Sequence, residues 1–468
     1  MARLSDCIFC EEPIGANDAG EHIFPAALGC RRKHRGILCE SCNSRFSRLD
    51  QILSEQLQII NGLLGVRHDR KKQPHLAKIQ DPLTGIALLV DSNGKLQQIA
   101  PRTVSESETD GKRQYKMAFD NLIQAHKWRE EMRAKGVEFN SFDIQRSKRL
   151  FSKPFNLSWS FGGDDGFREV SRIALNFLAW KFPALARRKS LRPFKEYILG
   201  NLAESFCRYD FEWIDNLPVS KFPFGHRIII CLDANTSQCY ARVNFYSLFN
   251  LIVNFGHTHP DRNAIIIIDI DPLADKAPED IHEQVLLDQV LTPPTQSTTS
   301  QDFNRAKIVE AVGKLLQEID DKHWQATVNQ LLPKLNALRA EVNYRRYDQV
   351  VELLRQHEQR ILNLINRLID EIQIRAKEDP RLEPLLPGMK FFTQTDPKEF
   401  SGLTKSALAS IGLLAYSLAE PICACLETMD ITANELRSYL DGQKGIKIVA
   451  ETLIPIIMEH LESLAIRS

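Results

Sequence analysis

Two C-x-x-C pairs stand near the N-terminus, Cys7-Ile-Phe-Cys10 and Cys39-Glu-Ser-Cys42. A knuckle of that spacing aims two thiolates at one point. Two knuckles complete the tetrahedron that Zn2+ takes with four sulfurs. Neither pair follows a strand in a βαβ context, which argues against redox use. The separation, 28 residues, exceeds that of small zinc fingers, so an insertion must loop out of the metal site. Cys30 lies in it as a substitute ligand. The insertion also carries Glu21-His22, in "EHIFPAALG". A structural zinc site needs neither residue. The carboxylate can hold a hard cation such as Mg2+, and a neutral imidazole can take a proton from water near pH 7. In a metal-stapled loop this pair suits hydrolysis. The competing reading makes both of them surface residues of a zinc-stapled binding module.

C-x-x-C, then E-H-I-x-P, then a Gly-containing turn, then C-x-x-C-N running into a helix resembles the HNH endonucleases, in their zinc-stapled form with the ββα-metal fold. The resemblance spans about residues 5–55. It implies that His22 is the general base activating water against a phosphodiester. It implies that Glu21 helps to hold a catalytic divalent metal, Mg2+ or Mn2+, while Cys7, Cys10, Cys39 and Cys42 hold a structural Zn2+. Asn43, directly after Cys42, falls where the family places a metal ligand at the helix start. Asp50, further along the same helix, is a further candidate ligand. Many members carry an Asn shortly before the second cysteine pair, where it steadies the catalytic His. Here "RRKHRGILC" puts His34 at that distance. Either His34 takes that role or a group elsewhere, such as a backbone carbonyl, does.

Phosphodiester hydrolysis needs a positioned water, a base for its proton and positive charge against the transition state. One divalent cation can stabilise both the nonbridging and the leaving oxygen. "RRKHR" adds Arg31, Arg32, Lys33 and Arg35 between the zinc pairs, a candidate contact with a phosphate backbone. Arg45, Arg48 and the 67–72 cluster "RHDRKK" add further charge. DNA is the expected substrate, with RNA as the variant. A non-catalytic zinc-stapled module that binds nucleic acid or protein is the alternative. Glu21, His22 and Asn43 together speak against it, because pure binding does not need all three.

The rest of the chain must position these groups. At 468 residues it is too long for one ordinary core. Lys and Arg balance Asp and Glu, so any basic surface is local. No signal peptide opens the sequence, and the most apolar stretch, 411–426, is too short or too interrupted to span a bilayer. A soluble cytoplasmic protein, without membrane contact, follows. The five cysteines outside the N-terminal group, Cys207, Cys231, Cys239, Cys423 and Cys425, read as buried small hydrophobes.

The expected fold class is α+β multidomain. Residues 1–65 form the zinc-stapled ββα-metal module, with helical spacing over 47–65. Residues 75–275 form a mixed α+β domain. It holds a hairpin around Asn93-Gly94, a strand at 112–120, helices at 121–136 and 166–183, strands at 155–163 and within 226–255, and a doubly covered strand in 263–272. There, His257 and His259 and the pair Asp269 and Asp271 read more readily as structural than as functional, while the basic clusters 146–150 and 186–192 are candidate tracks for a nucleic-acid backbone. Residues 276–302, with the polar stretch 291–302, are the linker. Residues 303–468 are all-helical, a candidate surface for homo-oligomer or protein-partner contact. In multidomain nucleases of this kind such added regions serve recognition, regulation or assembly, by analogy alone.

Overall fold

The computed structural model describes residues 6–15, 20–67, 75–81, 85–92, 95–109, 112–139, 143, 150–151, 160–210, 217–274, 281–289, 301–395 and 403–467. It is a mixed α/β structure whose described C-terminal part, from residue 301 on, is helical. The chain divides into two compact units. One joins residues 1–78, 89–96 and 157–321; the other joins 79–88, 97–156 and 322–468. This division differs from the sequence reading, which separated 1–65 from one domain over 75–275. Most of the expected strand at 155–163, the stretch 290–300 of the linker and most of the 146–150 cluster fall outside the described residues, whereas the described linker residues Ile281–Leu287 form a sheet strand paired with Ala264–Ile270.

The first unit is built on a six-stranded antiparallel sheet. Its strand order in space is Ile281–Leu287, Ala264–Ile270, His226–Asp233, Gln238–Phe245, Phe249–His257 and Cys207–Tyr209. Local turns make the antiparallel pairing possible. At Tyr246 and Ser247 both residues are left-handed, closing Phe245 back onto Phe249. The apolar run Ala264–Ile270 is buried throughout. Ile266, Ile268 and Ile270 enter the main core, and Ile265 and Ile267 enter a smaller cluster with Ile229, Cys231, Tyr240 and Ile252. The sequence expectation of two covered faces is met, on an antiparallel sheet.

Across the sheet lies the helix Gly163–Lys181. Asp164 and Asp165 in its first turn favour the helix dipole, and Pro183 follows its end. Every residue from Glu169 to Ala179 is buried. A helix covered all round lies between two layers. Here one layer is the sheet, and the other is the helix Glu40–Gln56 that follows the second cysteine pair. The N-terminal segment is therefore not an appended module, because its core is continuous with that of the sheet. Phe24, from "EHIFP", is fully buried and packs on the rings of His226 and Phe245, with centroids 4.6 and 5.5 Å away. Gly29 has φ +90°, and a Cβ there would lie 2.5 Å from the Pro272 carbonyl oxygen, so only glycine lets the loop sit that close.

His226 makes a polar contact in this seam. Its Nε2 bonds the Leu28 carbonyl at 2.9 Å, while its buried Nδ1 has no partner. Burial pushes the imidazole down to about 3. The carbonyl fixes the neutral tautomer, and a second proton would meet no acceptor. The unfolded chain binds that proton below its ordinary value of about 6.5. Stability is thus full above that value and is lost as pH falls toward 3, by about 2 kcal/mol at pH 5 from this one group. Denaturant unfolding of wild type and His226→Gln at pH 7 and pH 5 checks this. The variant should be less stable at pH 7 but lose less on acidification; parallel losses would exclude His226 as the source.

The second unit has its own apolar core, formed by helices Asn343–Arg355, Glu358–Ala376, Leu385–Phe391, Lys405–Thr428, Ala433–Leu440 and Gln443–Arg467. It also contains the antiparallel ribbon of Arg102–Thr109 with Lys112–Ala118, and the helix Leu122–Ala134 capped by Asn121. The helix Lys405–Thr428 is longer than the 411–426 stretch allowed. Its 24 residues are long and apolar enough, by length and composition alone, to cross a membrane. Yet Ala407, Ile411, Leu414, Ala415, Leu418, Ile422 and Leu426 are buried at three- and four-residue steps, against neighbouring helices of the same unit. That is the periodicity of a core helix.

Candidate functional site

The first knuckle turns through left-handed Glu11, with the Cys7 amide donating to the Glu12 carbonyl at 2.8 Å and the Glu11 amide to the Cys7 carbonyl at 3.1 Å. The second is the start of a helix. Cys39 is the N-cap of Glu40–Gln56, its Sγ accepting from the Cys42 amide at 3.5 Å. Arg187 braces both ends, donating to the carbonyls of Asp6 at 2.7 Å and Gly36 at 2.7 Å.

The four sulfurs of Cys7, Cys10, Cys39 and Cys42 all lie within 4.8 Å of one another, and those of Cys10 and Cys39 are 3.6 Å apart. A tetrahedral ZnS4 site with Zn–S near 2.3 Å has S···S edges of about 3.8 Å. The donor set therefore fits Zn2+. The electrostatics point the same way. Burial, then the neighbouring Cys7, push the Cys42 thiol far up, and burial raises Cys10 as well. For Cys7 burial acts upward too, but the backbone groups of Cys10, Cys39 and Phe9 outweigh it and the net direction is down. Thiolates this close repel unless a cation joins them. Cys30 is outside the cluster: it is buried in the apolar core, its Sγ 4.0 Å from the Arg32 carbonyl. Among the described residues this is the sole group of three or more His, Cys, Asp or Glu able to share a metal, and His257 and His259 join none. Cys207, Cys231 and Cys239 are buried as expected, while Cys423 and Cys425 are half-buried.

The insertion forms a two-residue antiparallel ribbon, Glu21–His22 with Lys33–His34, in which Glu21 faces His34 and His22 faces Lys33. Neighbouring side chains on a strand point to opposite faces. Accordingly Glu21 is buried and His22 half-buried. The backbone thus separates the two residues that the resemblance assigns to one site. His34 pairs opposite Glu21 rather than His22, and its ring lies 6.3 Å from that of Trp180. The structure does not bring His34 to His22, and desolvation lowers His34 from its ordinary value. Asn43 sits half-buried in the first turn of Glu40–Gln56. Asp50 follows after about two turns of 3.6 residues, on the same face.

Glu21 and Asp50 converge on a residue that sequence reasoning missed. Arg172, in the middle of Gly163–Lys181, donates from Nη1 to Glu21 Oε1 at 2.9 Å and from Nη2 to Asp50 Oδ1 at 2.5 Å. Its Nε and Nη2 also bind the two oxygens of Glu169, at 2.8 and 2.6 Å. The guanidinium lies 5.6 Å from the Phe46 ring centre, and only 1% of the Arg172 side chain is exposed. One guanidinium against three carboxylates leaves two negative charges in excess when all are ionised. Burial pushes Glu169 well up and raises Glu21, in each case against the pull of Arg172. Full ionisation of all three is therefore costly, and Arg172 is the group that joins Glu21 to Asp50. The signal in the sequence was a Glu and an Arg three residues apart inside an apolar run, "REVSRIALNFLAW".

The basic loop divides. Lys33 and Arg35 are exposed, whereas Arg31 and Arg32 are half-buried. Arg32 lies 5.8 Å over the Trp180 ring, which also holds the Lys181 ammonium at 3.6 Å. In the 186–192 cluster, Arg187 and Arg188 are engaged by backbone carbonyls, and Arg188 also by Asp261. Asp269 is not paired with Asp271; it accepts from Arg227 Nε at 2.7 Å, and Asp271 accepts from the Leu273 amide.

No curated protein and no solved structure matches this chain. Residues 7–58, which hold the four thiols, the Glu21-His22 ribbon, Asn43 and Asp50, match the family described as HNH endonuclease.

Proposed function

We propose that this chain is a metal-dependent nuclease that hydrolyses phosphodiester bonds, with DNA as its substrate. The observation that carries the reading is the meeting of Glu21, from the ribbon, and Asp50, from the knuckle helix, inside a four-thiol frame that matches the HNH endonucleases. Carboxylates brought together from separate elements raise one another's energy and suit a cation. Glu21, Asp50 and Asn43 would hold Mg2+ or Mn2+, which when bound supplies positive charge against the nonbridging and leaving oxygens. His22 takes the proton of the attacking water. Lys33 and Arg35, exposed beside it, bind the phosphate backbone without reading sequence.

One observation favours a second reading. Arg172 already bonds both carboxylates, as it would in a zinc-stapled binding module with no catalytic metal. Nicking of supercoiled plasmid by the full chain separates the two. Cleavage that requires Mg2+ or Mn2+ and stops with chelator is expected. DNA bound but left uncut with either metal would put the binding module first. A single-stranded RNA arm tests the substrate variant.

A further inference from the structure

We propose that Arg172 is the positioning residue of the nuclease site, and that the helix Gly163–Lys181 is part of the enzyme rather than of an accessory domain. The proposal rests on the nuclease reading above. Arg172 lies more than a hundred positions beyond the segment that matches the HNH endonucleases, yet it is the group on which that segment's two carboxylates meet.

The arrangement has the geometry of a clamp. Glu169, three residues earlier on the same helix and fully buried, grips Nε and Nη2 in a fork, which fixes the plane of the guanidinium. Phe46 lies against it. The oriented group then presents Nη1 to Glu21 and Nη2 to Asp50. It binds one named oxygen of each, so it aims both carboxylates. With three of them against its single charge, it does not neutralise them. A lysine could not do this, because a single ammonium lacks the rigid fork.

Stability does not explain the cluster. Buried ion pairs are commonly replaceable by apolar side chains at no loss, and the surroundings here are apolar, with Val170, Ile173 and Phe177 on the same helix all fully buried. A charged cluster held in such a place is more readily explained by chemistry than by packing. Partners of this kind, one layer behind the ligands, change metal affinity or activity by about 10- to 100-fold when removed.

The test uses the full chain and plasmid nicking, with kcat and half-saturating Mn2+ measured separately. Arg172→Lys is expected to raise the Mn2+ requirement, lower kcat, or both, by about 10- to 100-fold, with zinc content and DNA affinity retained. In a Glu21→Gln background the same substitution should cost less, since one of the two carboxylates through which Arg172 acts has already lost its charge. Unchanged kcat and Mn2+ dependence in Arg172→Lys would overturn the proposal. So would effects of the two substitutions that simply multiply. If Arg172→Lys melts early or loses zinc, Glu169→Gln replaces it. That variant keeps the shape and loosens the fork, and should raise the Mn2+ requirement in a folded protein; no change there overturns the proposal equally. A wild type that cuts nothing with either metal defeats the nuclease reading itself, whereas an active wild type with indifferent Arg172 and Glu169 variants defeats only the clamp.

Discussion

Replacing Cys39 with Ser, or stripping the metal with a strong chelator, is expected to unfold the N-terminal segment and abolish whatever it does. The loop from Gly20 to Leu38 is tied at both ends by knuckles. Structural zinc of this kind contributes on the order of 10 kcal/mol to local folding, comparable with the whole stability of an ordinary domain. Cys39 has a double role, because its sulfur also caps the first turn of Glu40–Gln56. The same segment supplies Phe24 and Leu28 to the core shared with the sheet, so its loss should expose apolar surface in the rest of the unit as well. Metal analysis should find about one zinc per chain in the wild type and in Cys30→Ser, since Cys30 lies outside the sulfur cluster. Cys39→Ser should contain little zinc and should bind a hydrophobic dye. A zinc-free yet fully folded wild type would sink the metal site, and loss of zinc from Cys30→Ser would rewrite its ligand set.

What was legible in the sequence depended on how local the physics is. The knuckles are legible because two residues between cysteines fix where both sulfurs point. The helical spacing from residue 47, which includes Asp50, and the strand Ala264–Ile270 follow from periodicity and apolar runs, whereas the helix start at Asn43 is what the resemblance implies. Glu21 and His22 could be identified by type, but not by direction; that came from the pairing of Glu21 with His34. The two compact units differ from the expected domain limits for a related reason. Composition changes along the chain, but the core of the first unit is assembled from distant pieces, with Phe24 on His226 and Gly29 against Pro272. No window of sequence contains such contacts. Arg172 was hidden in the same way. No motif marks Arg172, and only the layer above it reveals that the position is interior. For His34 the spacing left two alternatives open, and the ribbon pairs it opposite Glu21 rather than His22.

The largest effect on chemistry should come from His22. If it is the base, His22→Ala loses general-base catalysis, typically a factor of about 10² to 10⁴ in cleavage rate. Zinc should stay, because His22 is not among the clustered ligands. DNA affinity should stay nearly intact, because Lys33, across the ribbon from His22, and Arg35 keep their charges. Glu21→Gln should behave differently. It removes charge from the buried Arg172 cluster, so its defect should shift with Mn2+ concentration, whereas that of His22→Ala should persist at saturating metal. The distinction matters because the two side chains point apart: one faces Arg172, and the other stands half-exposed beside Lys33. For both to act on one phosphodiester, the substrate must sit at the edge of the ribbon, where the bend after His22 can turn the imidazole toward the carboxylate side. Pro25, just beyond it, restricts that bend through its fixed φ. Nicking rates for the two variants across a Mn2+ series, with zinc content and melting alongside, decide the matter. A His22→Ala protein that cuts at the wild-type rate removes His22 from the mechanism. Loss of zinc or of the fold in that variant makes its role structural, and the zinc-stapled binding module then becomes the better account of the segment.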